Sequence, residues 1–88
     1  MSGMPEWRPA LARSIVLRHD TVDDTDLLVM PERVVVLNDQ AGQILRLCDG
    51  SRTESDITRE LAERFPGVPI GHDVGEFLAR VRKEGWLR

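Results

Sequence analysis

This sequence predicts an α+β domain, a three-stranded antiparallel sheet followed by three helices, in an order that is winged helix-turn-helix-like. Three observations predict it. Residues 14–37 hold three short runs rich in Val, Ile and Leu. The links between those runs are shorter than the dozen or so residues that a parallel crossover needs. From Ala41 onward the apolar residues recur at i, i+3, i+4 and i+7, which is the helical period. A chain of 88 residues also suffices for one core and not for two.

The elements follow in order. Residues 1–13 lack periodicity and carry Gly3, Pro5 and Pro9, so they read as a flexible N-terminal arm, with Trp7 docking part of it on the body. A single domain then covers residues 14–88. Ser14 to Arg18 is the first β-branched run and the first strand. His19 to Asp26 holds four aspartates, Asp20, Asp23, Asp24 and Asp26, and reads as a loop. Leu27 to Met30 is the second strand, Pro31-Glu32 a turn, and Arg33 to Leu37 the third strand.

The first helix carries Ala41, Ile44, Leu45 and Cys48 on one face. Asn38 or Asp39 caps its start, because a short side-chain oxygen accepts an otherwise orphaned backbone N–H. Gly50 ends it. Thr53 caps the second helix, with Asp56 completing a capping box and Ile57, Leu61 and Phe65 forming the apolar face until Pro66-Gly67 stops it. The third helix presents Val74, Phe77, Leu78 and Val81, with Asp73 and Glu76 as a second capping pair. Gly85 closes it, and Trp86-Leu87 folds back on the core.

Composition narrows the function. Net charge is −3, which argues against nucleic acid and anionic membrane surfaces as partners. One cysteine, Cys48, excludes an internal disulfide and a multi-cysteine zinc site. No apolar run approaches the roughly 20 residues of a membrane span. Met1 to Trp7 has neither the basic start nor the apolar stretch of a signal peptide, so the chain reads as cytoplasmic.

The acidic loop 20–26 lacks the Asp-x-Asp-x-Asp-Gly spacing and distal Glu of a calcium loop, and a solvated hairpin loop is favoured. Cys48 falls in the core phase of its helix beside Asp49, which disfavours a thiolate. His19 and His72 stand in different loops with no metal-ligand spacing and read as surface residues. The glycines form no phosphate loop, and no serine has triad partners. Nothing calls for a cofactor, a metal or a catalytic group.

The basic residues Arg59, Arg64, Arg80, Arg82 and Lys83 share their helices with Glu60, Glu63, Glu76 and Glu84, so the charge is mixed rather than a nucleic-acid stripe. The third strand carries more information. Val34, Val35, Val36 and Leu37 are apolar without a break. Natural edge strands usually carry Lys, Pro or a bulge that blocks pairing. Two readings stand: both faces of this strand are buried, or its edge is kept open for an incoming peptide strand. An open edge would also admit a second copy of the chain, as a homodimer.

These residues together resemble the PqqD family of pyrroloquinoline quinone biosynthesis. The resemblance is carried by Arg8-Pro9-Ala10-Leu11-Ala12-Arg13, Leu17-Arg18-His19-Asp20, Pro31-Glu32-Arg33-Val34-Val35-Val36-Leu37-Asn38, Ala41 and Ile44 to Gly50. It continues through Thr53, Ile57, Leu61, Asp73-Val74, Phe77-Leu78 and Gly85. The acidic stretch 23–26 and the Pro-rich turn 66–71 depart from it. The resemblance implies a non-catalytic recognition domain that binds the ribosomal precursor peptide PqqA by strand addition and presents it to the radical-SAM enzyme PqqE. It places the peptide beside Val34, Val35, Val36 and Leu37 and against Phe77, Arg80, Val81 and Glu84 of the third helix. Two alternatives remain: a recognition domain of another modified-peptide pathway, and a winged-helix nucleic-acid-binding regulator.

Overall fold

A computed structural model describes residues 6–67 and 71–88, the side chain of His72 excepted. The readings of Met1–Pro5, of positions 68–70 and of the His72 side chain lie outside the described residues. Three strands, β1 (Val16–Asp20), β2 (Thr25–Val29) and β3 (Val34–Leu37), precede three helices, α1 (Asp39–Arg46), α2 (Glu54–Arg64) and α3 (Gly71–Lys83). The sheet is antiparallel with the order β1-β2-β3, as a meander requires.

Side chains alternate across the strands. Leu28 and Leu37 turn inward and join Ile44, Leu45, Ile57, Leu61, Val74, Leu78 and Val81 in one core beneath the helices. The opposite face is uncovered. Val16 is 50% exposed, Val34 55% and Val36 68%. So α1 packs on β2 and β3, α2 packs on α3, and the helices cover one face of the sheet.

The helix ends follow the chemistry of their caps. Asn38 accepts the Ala41 N–H at 2.8 Å. Thr53 and Asp56 form the reciprocal capping box, each side chain bonded to the other's backbone N–H at 3.1 Å. Gly50, Gly67 and Gly85 all take positive φ, the region that favours glycine where a helix must turn away. Cys48 is buried just beyond α1, where its thiol donates to the Ile44 carbonyl at 3.3 Å. Burial, then the neighbouring Asp49 charge, pushes that thiol up to about 12.

Four expectations need correction. First, β1 and β2 run into the stretch read as a loop: His19 and Asp20 close β1 and Thr25 and Asp26 open β2, leaving only residues 21–24 as the turn. The cause is Asp26, which is buried and fully partnered. Arg46 Nη2 donates to both of its oxygens at 2.7 Å, and His19 Nδ1 lies 2.9 Å from Oδ1 across the β1–β2 pair. A Cβ on Gly42 would sit 2.0 Å from Asp26 Oδ2, so only glycine lets α1 approach this carboxylate. Second, α3 begins at Gly71, which puts Asp73 inside the first turn, not at the cap. Third, Phe65 is the C-cap of α2, not part of its buried face, and is 38% exposed.

Fourth, the arm is fastened from Trp7 onward. Ala10 exchanges backbone hydrogen bonds with Arg88 at 3.2 and 2.8 Å, and Ala12 N–H donates to the Trp86 carbonyl at 2.8 Å. Pro9 is fully buried, and Leu11 packs on the core. Trp7 donates its indole N–H to the Arg88 carbonyl at 3.2 Å, and the Arg82 guanidinium lies over its ring at 4.2 Å. Trp86 and Leu87 fold back as expected, with Leu87 buried.

Candidate peptide-binding edge

The free edge of β3 is defined by one hydrogen bond in its hairpin. Met30 N–H donates to the Arg33 carbonyl at 2.9 Å across the Pro31-Glu32 turn. Met30 and Arg33 are therefore a bonded pair. Antiparallel ladders alternate bonded and non-bonded pairs. Leu28–Val35 and Asp26–Leu37 are then bonded, while Val29–Val34 and Leu27–Val36 are not. Hence Val35 and Leu37 spend their N–H and C=O groups on β2. Val34 and Val36 aim theirs away from the sheet, and no other strand among the described residues pairs with them.

The side chains keep the same parity. Val35 and Leu37 face the core, whereas Val34 and Val36 lie on the uncovered face. The strand is thus neither buried on both faces nor wholly exposed. One residue in two presents both its backbone and its side chain to the outside.

A groove of about 270 Å³ opens where β3 passes into α1. Asn38, Gln40, Ala41 and Ile44 form one wall, and Asp73, Glu76, Phe77 and Arg80 of α3 form the other. The structure therefore brings Phe77 and Arg80, both singled out in the sequence, to the side of the β3 terminus. It does not do so for the other two helix positions. Val81 is 3% exposed and belongs to the core, because it shares the helical phase of Val74 and Leu78. Glu84 lies past the last turn of α3, exposed and away from the groove lining. Sequence reasoning missed Asn38, Gln40, Asp73 and Glu76 as groove residues. Asn38 was visible only as a cap, and nothing in a single chain says that α3 crosses beside it.

The groove mixes a half-buried aromatic ring with charges of both signs and offers no reactive group. Among the described residues, no cluster of three or more His, Cys, Asp or Glu side chains could hold a metal ion. The acidic turn is organised by its own backbone: Asp20 accepts the Val22 N–H at 2.9 Å, and Asp24 takes a left-handed φ of 52°. Among the described residues, no helix is long and apolar enough to cross a membrane.

Comparison with known proteins places this geometry. Residues 27–87 match the family described as coenzyme PQQ synthesis protein D (PqqD). The chain is 40% identical over 80 residues to a PqqA binding protein of Pseudomonas paraeruginosa, covering 90% of this chain and 87% of that one. It is 35% identical over 85 residues to a PqqA binding protein of Pseudomonas entomophila, covering 96% and 89%. The fold superposes with a TM-score of 0.74 and 34% identity on the solution NMR structure of the PqqD truncation of Methylobacterium extorquens PqqCD, covering 91% of this chain and 87% of that one. That structure is described as a functional, stand-alone recognition element for ribosomally synthesised and post-translationally modified peptides.

Proposed function

Because the chain belongs to the PqqD family, we propose that it binds the precursor peptide PqqA by adding it as a fourth strand to β3 during pyrroloquinoline quinone biosynthesis. The observation that carries this reading is the bare edge at Val34 and Val36, next to the groove of Phe77 and Arg80. Backbone groups at two residues supply up to four new hydrogen bonds, and the groove selects among side chains. The protein acts here by binding, without catalysis, cofactor or metal. Held at the edge of a small domain, the rest of the peptide stays available to an enzyme. The finer proposal is that this enzyme is the radical-SAM protein PqqE and that the hand-over takes place in the cytoplasm. A second copy of the chain would compete for the same edge, so a homodimer and the peptide complex exclude each other.

The test is an NMR titration of ¹⁵N-labelled protein with synthetic PqqA, in buffer free of nucleotide and with chelator present. The expected shifts concentrate at the amides of Val34 and Val36 and around Asn38, Phe77 and Arg80. Shifts confined to the far side of the domain, or a demand for metal or nucleotide, would sink the proposal. A gel shift with duplex DNA at physiological salt should show no submicromolar binding, since the charge of −3 gives phosphates no general attraction.

A further inference from the structure

The face of the sheet turned away from the helices also bears on what the edge can accept. The strand register aligns its residues in rows. Val16, Val29 and Val34 stand side by side across the three strands, and Arg18, Leu27 and Val36 form the next row. Five of these six are apolar, and Val16, Val34 and Val36 are at least half exposed. Among the described residues, no helix covers them.

The residues of β3 that carry the free N–H and C=O groups are the same ones that carry the outer-face side chains. A strand bonded to Val34 and Val36 must therefore set its own paired side chains beside them, on that outer face. This holds for parallel and antiparallel addition alike, since paired residues share a face in both. The residues between turn the other way, toward the helix layer and the groove, where Ile44 and Phe77 lie among Asn38, Gln40, Asp73 and Arg80.

We infer that the outer face is part of the peptide site, and that it selects a precursor segment with apolar side chains at positions i and i+2, which extend the two rows ending at Val34 and Val36. This rests on the strand-addition reading and adds a sequence rule to it. Recognition would then read both faces of the bound strand, one by contact with the bare valines and the other by the mixed lining of the groove.

The experiment pairs protein and peptide changes. Val34→Thr and Val36→Thr, alone and together, keep the β-branched shape and the free backbone groups while making the outer face polar. With synthetic PqqA as the probe, the double variant is expected to raise Kd about twofold to thirtyfold, the range set by two lost cross-strand contacts, with an unchanged circular dichroism spectrum. An alanine scan of the peptide should find two sensitive positions separated by one residue, and both should lose their sensitivity against the double variant. Sensitive positions that are adjacent or three to four apart overturn the inference, as does undiminished binding to the double variant. In those cases strand addition itself survives, because the wild-type protein still binds. If the wild-type protein does not bind PqqA at all, both fall together.

Discussion

Two strands bound this sheet, and they are finished in opposite ways. β1 reads Val-Leu-Arg-His-Asp and ends in charged and polar side chains. Its His19 is tied through Asp26 to Arg46 on α1, and α1 comes that close because Gly42 has no side chain. β3 reads Val-Val-Val-Leu and has no charge; by the same alternation each outer strand leaves two residues' backbone groups unpaired, Leu17 and His19 on β1 and Val34 and Val36 on β3. Charge on an edge discourages another strand, and a flat apolar edge invites one. The same sheet therefore carries one edge guarded by charge and one left apolar. An edge strand without protection in a small domain is informative only beside a protected one, which shows that the fold does use the protection where it needs it.

Substitutions can break this contrast at either edge. The largest effect is expected for Val35→Pro, which removes a ladder bond to Leu28 and costs about 3 kcal/mol or more, enough to threaten folding of a domain this small. A urea melt checks it. Next comes Gly42→Ala. The new methyl group meets a carboxylate held by Arg46 and His19, and the expected loss is about 2–3 kcal/mol by overpacking. Chemical denaturation should report that loss with PqqA affinity in the folded fraction unchanged.

Val36→Pro should act at the open edge alone. Its N–H faces outward and pairs with no strand among the described residues, and proline is tolerated on edge strands. The melting temperature should stay near that of the parent while PqqA affinity falls about twofold to tenfold, the worth of one hydrogen bond. If Val35→Pro and Val36→Pro behave alike, the parity drawn from the Met30–Arg33 bond is wrong.

The smallest effect is with pH and belongs to the charged edge. Hydrogen bonds from Arg46, then from His19, hold the Asp26 carboxyl below its ordinary 3.8. Its contribution is present above that value and is lost as pH falls through the depressed folded value. Hydrogen bonding to Asp26, foremost, raises His19 above 6.5. That contribution is complete below 6.5 and is lost as pH rises through the raised folded value. Thermal stability should therefore be greatest between the two, in mildly acidic buffer. His19→Gln should flatten the alkaline side of the profile and leave the acid side in place.

Much of this was legible in the sequence, for reasons that can be named. Strand count, order and pairing sense followed from short β-branched runs on short links, and the helices from period and caps such as Thr53 with Asp56. The register was not legible. Asp26 looks like a solvated loop residue until Gly42 and Arg46, sixteen and twenty positions later, are brought onto it. Its burial lengthens β1 and β2 into the polar stretch. At the candidate site, the continuous Val34–Leu37 run gave the strand, yet which residues face outward depends on the hairpin bond between Met30 and Arg33. On α3, one helical phase serves both core and groove. Periodicity alone could not separate Val81, which is core, from Phe77, which touches both.

The pairing of residues 10–12 with 86–88 also governs how the domain is built during synthesis. The β1–β2–β3 meander and α1 are local and can form while later residues are still inside the ribosome. The terminal clasp closes a loop of nearly the whole chain, at about 4 kcal/mol of chain entropy by the logarithmic law. It needs Leu87, whose side chain fills its place in the core beside the bridge to Leu11. Until it closes, a nascent chain carries an incomplete core together with the bare Val34–Val36 edge, the combination most open to wrong strand pairing between neighbouring chains. The fold is therefore complete only once residues 10–12 and 86–88 have met.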